Sequence, residues 1–550
     1  MIKYLIPLVA SVALTALFLR PAKATESDSP ARKPAVTEAL KYRIISFNKA
    51  SSVDKELIKM AADLGYNGVM IQMEGANTKR VKELVEYDKT EGIFDYCHQL
   101  GMKVTVWVHE LMEMPKENSP GYLGPVNLEN QKLWDFLAER YEWMLKEAIP
   151  KVDGLVLTVV ESQINITDAA MMQKLTDVID QKCRKYGKQF IVRTFVWHPE
   201  ELKGVMDAVS KLPEDTVIMS KVVPQDWQMR GIDAMETGRV GNREQIIEYD
   251  VAGEYFLRDD AANCFPEMLK RQFDYGIARG VDGICVRIDR FGATVLHNPQ
   301  EVNLWALGMF ATGKTTVVDD VWESWAQARF GTEAAPGVIK ALKPTGAVVA
   351  EMLSVGSFTV GDTRGFPPRP DENVLDQNWQ NWRWDTSLVP QKIKIEEGDP
   401  ALTREIEEQK LKAANLAKQS LEELATVEDK LDPADYQILR AKLLTNKVQL
   451  EFRSAMAMTI LRANRLIRIK DSGEQSELLS TIAKDLQTIQ GVAQRDYGKP
   501  VEIEKFGRKW KVGVPEGLNL KKMNEWVEKT KNFISEKGFE LPQTATIDKL

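Results

Sequence analysis

The sequence is poor in residues that build covalent or metal-held scaffolds. It has four cysteines and four histidines in 550 residues. Cys97, Cys183, Cys264 and Cys285 show neither CxxC nor metal-ligand spacing, so no zinc, haem or iron–sulfur pattern is present. Exported chains often pair cysteines, but this spacing predicts buried or free thiols rather than a disulfide framework. No glycine-rich phosphate loop follows a strand, and no cofactor is expected. The formal charge is only −7 and there is no long basic run, which excludes nucleic acid as the expected partner. Long apolar runs are missing too, except at the start.

That exception reads as a processing signal. "MIK" is a short basic start, "YLIPLVASVALTALFL" an apolar run, and Ala22-Lys23-Ala24 an A-x-A cleavage site. A signal peptide over 1–24 is expected, with Thr25 first in the mature chain and export to the periplasm or medium. The run is short for a retained anchor, no cysteine follows it to carry lipid, and no membrane span is expected after cleavage. A polar, proline-containing lead-in follows over 25–41. The remainder exceeds a single core, so at least two domains are expected.

From residue 42 one unit repeats: a short β-rich run, then an amphipathic helical stretch. The runs are "YRIISFN" (42–48), "GVMIQME" (68–74), "KVTVWVHE" (103–110), "GLVLTVVE" (154–161), "FIVRTFVW" (190–197), "VIMSKVV" (217–223), "EQIIEYD" (244–250) and "GICVRID" (283–289). Stretches such as "DKELIKMAADLG" lie between them. Eight such units predict an α/β fold, a (β/α)8 TIM barrel over 42–335, rather than an open doubly wound sheet. Side chains alternate across a strand, so each run has two faces. Ile284, Val286 and Ile288 are expected to meet the helices, leaving Cys285, Arg287 and Asp289 inside. By the same rule Thr105, Trp107 and His109 face inward, as do Gln72 with Glu74, Arg193 with Phe195 and Trp197, and Glu244 with Ile246, Glu248 and Asp250.

Charges inside a barrel are costly unless paired or functional. Here Glu74, His109, Glu161, Arg193, Lys221, Asp226, Glu248 and Asp289 gather at the C-terminal ends of the strands, where barrels place their active sites. Arg287 paired with Asp289 would be ordinary structure; the whole set predicts a pocket. Its aromatic residues are Trp107, Trp197, Trp227, Tyr249 and Tyr255. With carboxylates and aromatics but no activated Ser or Cys, the rim suits glycoside hydrolysis, in which one carboxylic acid protonates the leaving oxygen while a second carboxylate activates water or attacks. A metal site is not expected, since His109 is alone on this rim and His198 falls on the opposite face. In "SKVVPQDWQ" (220–228) Lys221 and Asp226 flank a proline turn, and a plain cap is the competing reading for Asp226.

From the fourth run onward the chain resembles the α-glucuronidases of glycoside hydrolase family 67. "VVESQ" puts Glu161 and Gln163 on the family's S-E-G-Q, and "RTFVW" is similar to R-A-F-V-Y with Arg193 at its head. "KVVPQDWQ" keeps the Lys, Pro, Asp, aromatic and Gln of K-N-G-P-I-D-F-Q, and "IIEYDVAGE" supplies Glu248-Tyr249 and Gly253-Glu254 for Q-E-Y and G-Q. "EVNLWALGMFATGKTTVVDDVWESWAQARFG" is similar to the family's A-N-L-Y-A-F-G segment and E-W helix. The resemblance implies an inverting hydrolase with Glu161 as general acid and the base drawn from Asp226 and Glu248. It also implies that Lys221 and Arg193 hold a uronic acid carboxylate. Two departures stand out: Leu157 replaces a basic residue four positions before the acid, and the family's N-terminal β-sandwich has no counterpart before the first strand.

After residue 335 the composition turns to Ala, Leu, Glu and Lys at helical spacing, as in "TREIEEQKLKAANLAKQSLEELATVEDKL". A helical C-terminal domain over 336–550 is expected, packing on the barrel or forming a homodimer interface. The loop "GFPPRPDENVLDQNWQNWRWDTS" carries Trp379, Trp382 and Trp384, expected more as core anchors than sugar platforms, while Arg364 and Arg369 are candidates to replace the cation missing at Leu157. Together these features predict an exported glycosidase acting on α-linked glucuronic acid or its 4-O-methyl ether in polysaccharide fragments. The alternatives are a barrel glycosidase for another uronic acid or a neutral sugar, and a silent glycan-binding barrel.

Overall fold

The structure is a computed structural model that describes residues 38–73, 78–110, 117, 121–159, 168–196, 198–224, 227–230, 232–252, 260–290, 293–359, 381–513, 515 and 518–542. Eight strands pair in chain order and close on themselves. They are β1 (Tyr42–Phe47), β2 (Gly68–Gln72), β3 (Lys103–His109), β4 (Gly154–Thr158), β5 (Gln189–Arg193), β6 (Val217–Lys221), β7 (Gln245–Asp250) and β8 (Gly283–Arg287). Closure is parallel, with Tyr42 opposite Gly283 and Ser46 opposite Arg287. A Cβ at Gly283 would overlap Tyr42, so the "VDG" turn needs glycine where the two strands meet.

The barrel interior is filled by Ile44, Met70, Trp107, Val156, Ile191, Val217, Met219, Ile246 and Cys285. Their alternate neighbours, among them Val69, Val106, Leu157, Ile218 and Ile284, join the larger core beneath the helices. At the N-terminal end Glu244 accepts from Lys41 Nζ at 2.5 Å and from the Tyr42 hydroxyl at 2.6 Å, closing the floor.

Outside lie α1 (Lys55–Asp63), α2 (Thr78–Glu91), α3 (Ile93–Gln99), α4 (Gln131–Trp143), α5 (Ala169–Lys185), α6 (Pro199–Lys211), α7 (Pro266–Ile277) and α8 (Glu301–Ala311). The caps are local chemistry. Asp54 accepts from the Glu56 and Leu57 amides, and Asp168 from that of Ala170. One repeat departs from the expected pattern: among the described residues of 222–244, between β6 and β7, no helix forms. Pro224, Gly238 and Gly241 interrupt that stretch, and both glycines sit at positive φ (78° and 70°), where other residues are strained.

Beyond the barrel come α9 (Val318–Leu342), broken at Gly331 (φ 80°, ψ 165°), then α10 (Thr345–Met352), α11 (Val389–Glu397), α12 (Pro400–Ala425), α13 (Pro433–Leu466), α14 (Ser472–Gln494) and α15 (Leu520–Glu536). Phe452, Met456, Leu461, Ile489, Trp526 and Phe533 anchor a second core there. The helical pattern did not reveal the hairpin of Val501–Lys505 and Arg508–Val512, whose tip Phe506 stacks on His297 at 3.9 Å. All four cysteines are buried and unpaired. Among the described residues no helix is long and apolar enough to cross a membrane.

Candidate active site

Glu248 is the centre of the inner face. It lies on β7, 0% exposed, between Lys221 of β6 and Cys285 of β8 in register. Arg193 reaches it from β5 with two hydrogen bonds, Nε to Oε2 at 2.6 Å and Nη2 to Oε1 at 2.8 Å. Lys221 Nζ and Arg287 Nη1 stand 4.0 and 3.8 Å from Oε1, too far for hydrogen bonds. Burial pushes the Glu248 carboxyl up, but Arg193, Lys221 and Arg287 together outweigh it and hold the group down at about 2.

Beneath this pair lies Trp107, 2% exposed. Its Nε1 donates to Thr158 Oγ1 at 2.7 Å, and Arg193 Nη1 donates to the same oxygen at 3.4 Å. The Arg193 guanidinium is 4.6 Å from the ring centroids of both Trp107 and Phe195. Lys221 lies 4.7 Å from the Phe195 ring, and His109 meets the Trp107 ring edge-on at 4.9 Å. Aromatic faces thus stabilise the buried cations, an arrangement favourable where water is excluded.

On β8, Arg287 faces inward opposite Asp250 of β7. Two residues on, Asp289 Oδ1 accepts the Asn48 amide at 2.7 Å. Burial pushes the Asp289 carboxyl up to about 6, against the opposing pull of the Ser52 hydroxyl and the Asn48 amide.

The structure therefore brings together Glu248, Arg193, Lys221, Arg287, Trp107, His109 and Asp289. Glu74, Glu161, Trp197 and Asp226 lie outside the described residues, as do Arg364 and Arg369. Four expected roles need correction. Tyr249 does not line the pocket: it alternates with Glu248 and is buried in the outer core beneath the helices. Trp227 is buried in that same core, tilted against Phe265 at 6.4 Å. Trp107 faces inward, but its ring is covered by the Arg193 guanidinium, so it is no open sugar platform. Arg193 itself, 1% exposed, spends its fork on Glu248. Leu157 points to the helices, so its position on β4 lies off the rim.

Thr158 and Asn48 escaped the sequence reading. Inward alternation from Val156 reaches Thr158, but a threonine carries no chemical signal by itself. Asn48 acts through its backbone N–H, which no side-chain pattern reveals. The "EVNLWALG" segment also gains a physical role. Asn303 on α8 donates to the carbonyls of Val251 and Asn263 and accepts from the Phe265 amide, tying down both ends of the loop after β7. Among the described residues no group of three or more His, Cys, Asp or Glu side chains is placed to hold a metal ion.

A closed parallel barrel with a charged, aromatic-lined site at the C-terminal ends of its strands, followed by a helical region, is a TIM-barrel architecture. Among solved structures the chain is similar to a GH138 enzyme targeting pectin rhamnogalacturonan II, at TM-score 0.58 and 10% identity over 83% of this chain and 63% of that one. It also resembles, more loosely, an O-GlcNAc hydrolase mutant from Thermobaculum terrenum, at TM-score 0.40 and 11% identity over 83% and 89% of the two chains. The chain thus spans less than two thirds of the GH138 enzyme's length. Neither a family model nor a curated protein matches the sequence. At such identities the likeness shows a shared fold, and function must be argued from the site.

Proposed function

We propose that this chain is an exported glycoside hydrolase that removes an α-linked uronic acid, glucuronic acid or its 4-O-methyl ether, from polysaccharide fragments with inversion. One observation carries the preference for an anionic sugar. Lys221 and Arg287 approach Glu248 from both sides, at 4.0 and 3.8 Å, while Arg193 binds it directly, so three cations gather around a carboxylate in a buried layer floored by aromatic rings. A sugar carboxylate entering above them gains charge-assisted hydrogen bonds in a medium that screens little. Arg193 serves this grip indirectly, by holding Glu248 in place.

The same geometry narrows the choice of base. A carboxylate held near 2, with an oxygen on each of two guanidinium nitrogens, is a poor proton acceptor at neutral pH. Glu248 is therefore assigned an electrostatic role and Asp226 that of base, with Glu161 protonating the leaving oxygen. Those last two roles rest on the motif resemblance to family 67. Inversion requires about 6.5–9.5 Å between their carboxyl groups, room for the attacking water. That the barrel is shared with glycoside hydrolases supports the reaction class. The GH138 enzyme's target also puts pectic fragments on the substrate panel.

The test is product analysis by NMR on α-glucuronosyl oligosaccharides, pectic fragments and neutral α-glycosides. Free uronic acid released first as the β-anomer supports the reading. Faster turnover of a neutral glycoside refutes the uronate preference, and binding without any turnover refutes the enzyme.

A further inference from the structure

The link between β6 and β7 carries Asp226, and its described residues form no helix. Its described flanks are fastened elsewhere. On the near side the Val222 amide donates to the Glu248 carbonyl at 2.9 Å, and Ala234 closes back onto the Val222 carbonyl at 3.1 Å. Trp227 is buried against Phe265. On the barrel flank, Asp233 accepts from Arg271 of α7 at 2.9 Å.

A further anchor comes from the helical region. Arg230, four residues after Asp226, donates Nη1 to the Gly356 carbonyl at 2.6 Å and Nη2 to Glu351 Oε1 at the end of α10. The second Glu351 oxygen lies 3.7 Å from Lys410 Nζ of α12. Lys410 in turn donates to the Glu351 and Ser354 carbonyls. Glu351 and Lys410 are 3% and 4% exposed. Burial lowers the Lys410 ammonium to about 8, against the pull of Glu351. A buried ion pair is expensive to build and gives little stability over an apolar pair, but it fixes one geometry. Here that geometry is the position of a loop.

We infer that the helical region is a working part of the active site: Glu351 and Lys410 grip Arg230 and so set the β6–β7 loop that bears the base. Arg230, Glu351 and Lys410 are positioning residues that touch no substrate. This inference rests on the reading of Asp226 as base, and its consequences separate from that reading.

The experiment compares full-length wild type with Arg230→Gln and Glu351→Gln by hydrogen exchange and by kinetics. Arg230 is the safer variant, because its side chain is 22% exposed. In both variants the amides of 222–230 should exchange at least about tenfold faster while β1–β5 keep their protection. Turnover of an α-uronoside should fall in kcat by up to about 10²-fold, the cost of a misplaced catalytic group, with KM little changed. The double variant should lose no more than the worse single one, because both break one grip. Unchanged exchange over 222–230, or a lowered Tm with wild-type kcat, overturns the inference and leaves a simple staple. A wild type that cleaves no glycoside overturns the glycosidase reading instead, and faster loop exchange would still support the grip.

Discussion

Replacing Glu248 with glutamine removes a carboxylate that three buried cations share. Arg193 keeps its place over the Trp107 and Phe195 rings but loses both charge-assisted hydrogen bonds, and Lys221 and Arg287 lose the counter-charge between them. Breaking one partner of a buried ion pair costs about 3–5 kcal/mol, because the other charge stays buried and uncompensated. An independent route gives a similar size. The folded carboxyl titrates near 2 against an ordinary value of 4.5, and each unit of that difference is worth about 1.36 kcal/mol, so ionised Glu248 contributes about 3 kcal/mol. Because the folded value is the lower one, that stability is complete above pH 4.5 and drains away as pH falls towards 2. Urea titrations from pH 2 to 7, followed by tryptophan fluorescence, measure both effects. Glu248→Gln should lower stability at pH 7 by about 3 kcal/mol and flatten the acid limb. The double variant Arg193→Met, Glu248→Leu should recover much of the loss, since an apolar pair avoids the desolvation cost. A Glu248→Gln protein of wild-type stability whose only defect is turnover would refute the anchor and return Glu248 to the role of base.

Three further outcomes are expected. Asp226→Ala should leave the unfolding midpoint unchanged and lower kcat by at least about 10²-fold, the scale of general base catalysis; a loss of about 0.5–2 kcal/mol in stability with intact turnover would mark it as a mere turn cap. Lys221→Ala should raise KM for an α-uronoside far more than for a neutral glycoside, and an equal effect on both would remove Lys221 from carboxylate binding. Glu236, buried on the link between β6 and β7, is pushed up to about 7 by burial, opposed by its own backbone amide, the Thr194 hydroxyl and Arg239. Its folded value is the higher one, so the native state holds a proton the unfolded chain has released, and stability falls as pH rises from 4.5 to 7. Glu236→Gln should therefore gain stability at pH 8, by up to about 3 kcal/mol, with little change at pH 5; an equal effect at both values would show that the carboxyl is ionised throughout.

The barrel was legible because its cause is local and periodic. Eight β-branched runs separated by amphipathic helices leave few ways to bury every apolar face, and alternation alone sends Glu248, Arg287 and Trp107 inward. The same rule, applied to "IIEYD" in full, sends Tyr249 to the helices, whatever its aromatic chemistry suggests for the rim. Trp227 follows no strand and has no parity to read, so only packing against Phe265 could place it. The lack of a helix among the described residues between β6 and β7 was half visible in Pro224, Gly238 and Gly241, whose backbone preferences are intrinsic. What sequence order could not express is which charges meet. Arg193 and Glu248 are 55 residues apart, and Arg230 and Glu351 are 121 apart. Composition and period dictate which faces are buried, because the hydrophobic effect is additive along the chain. The pairing of buried charges depends on distance and dielectric between segments remote in sequence, and those exist only once the chain has closed.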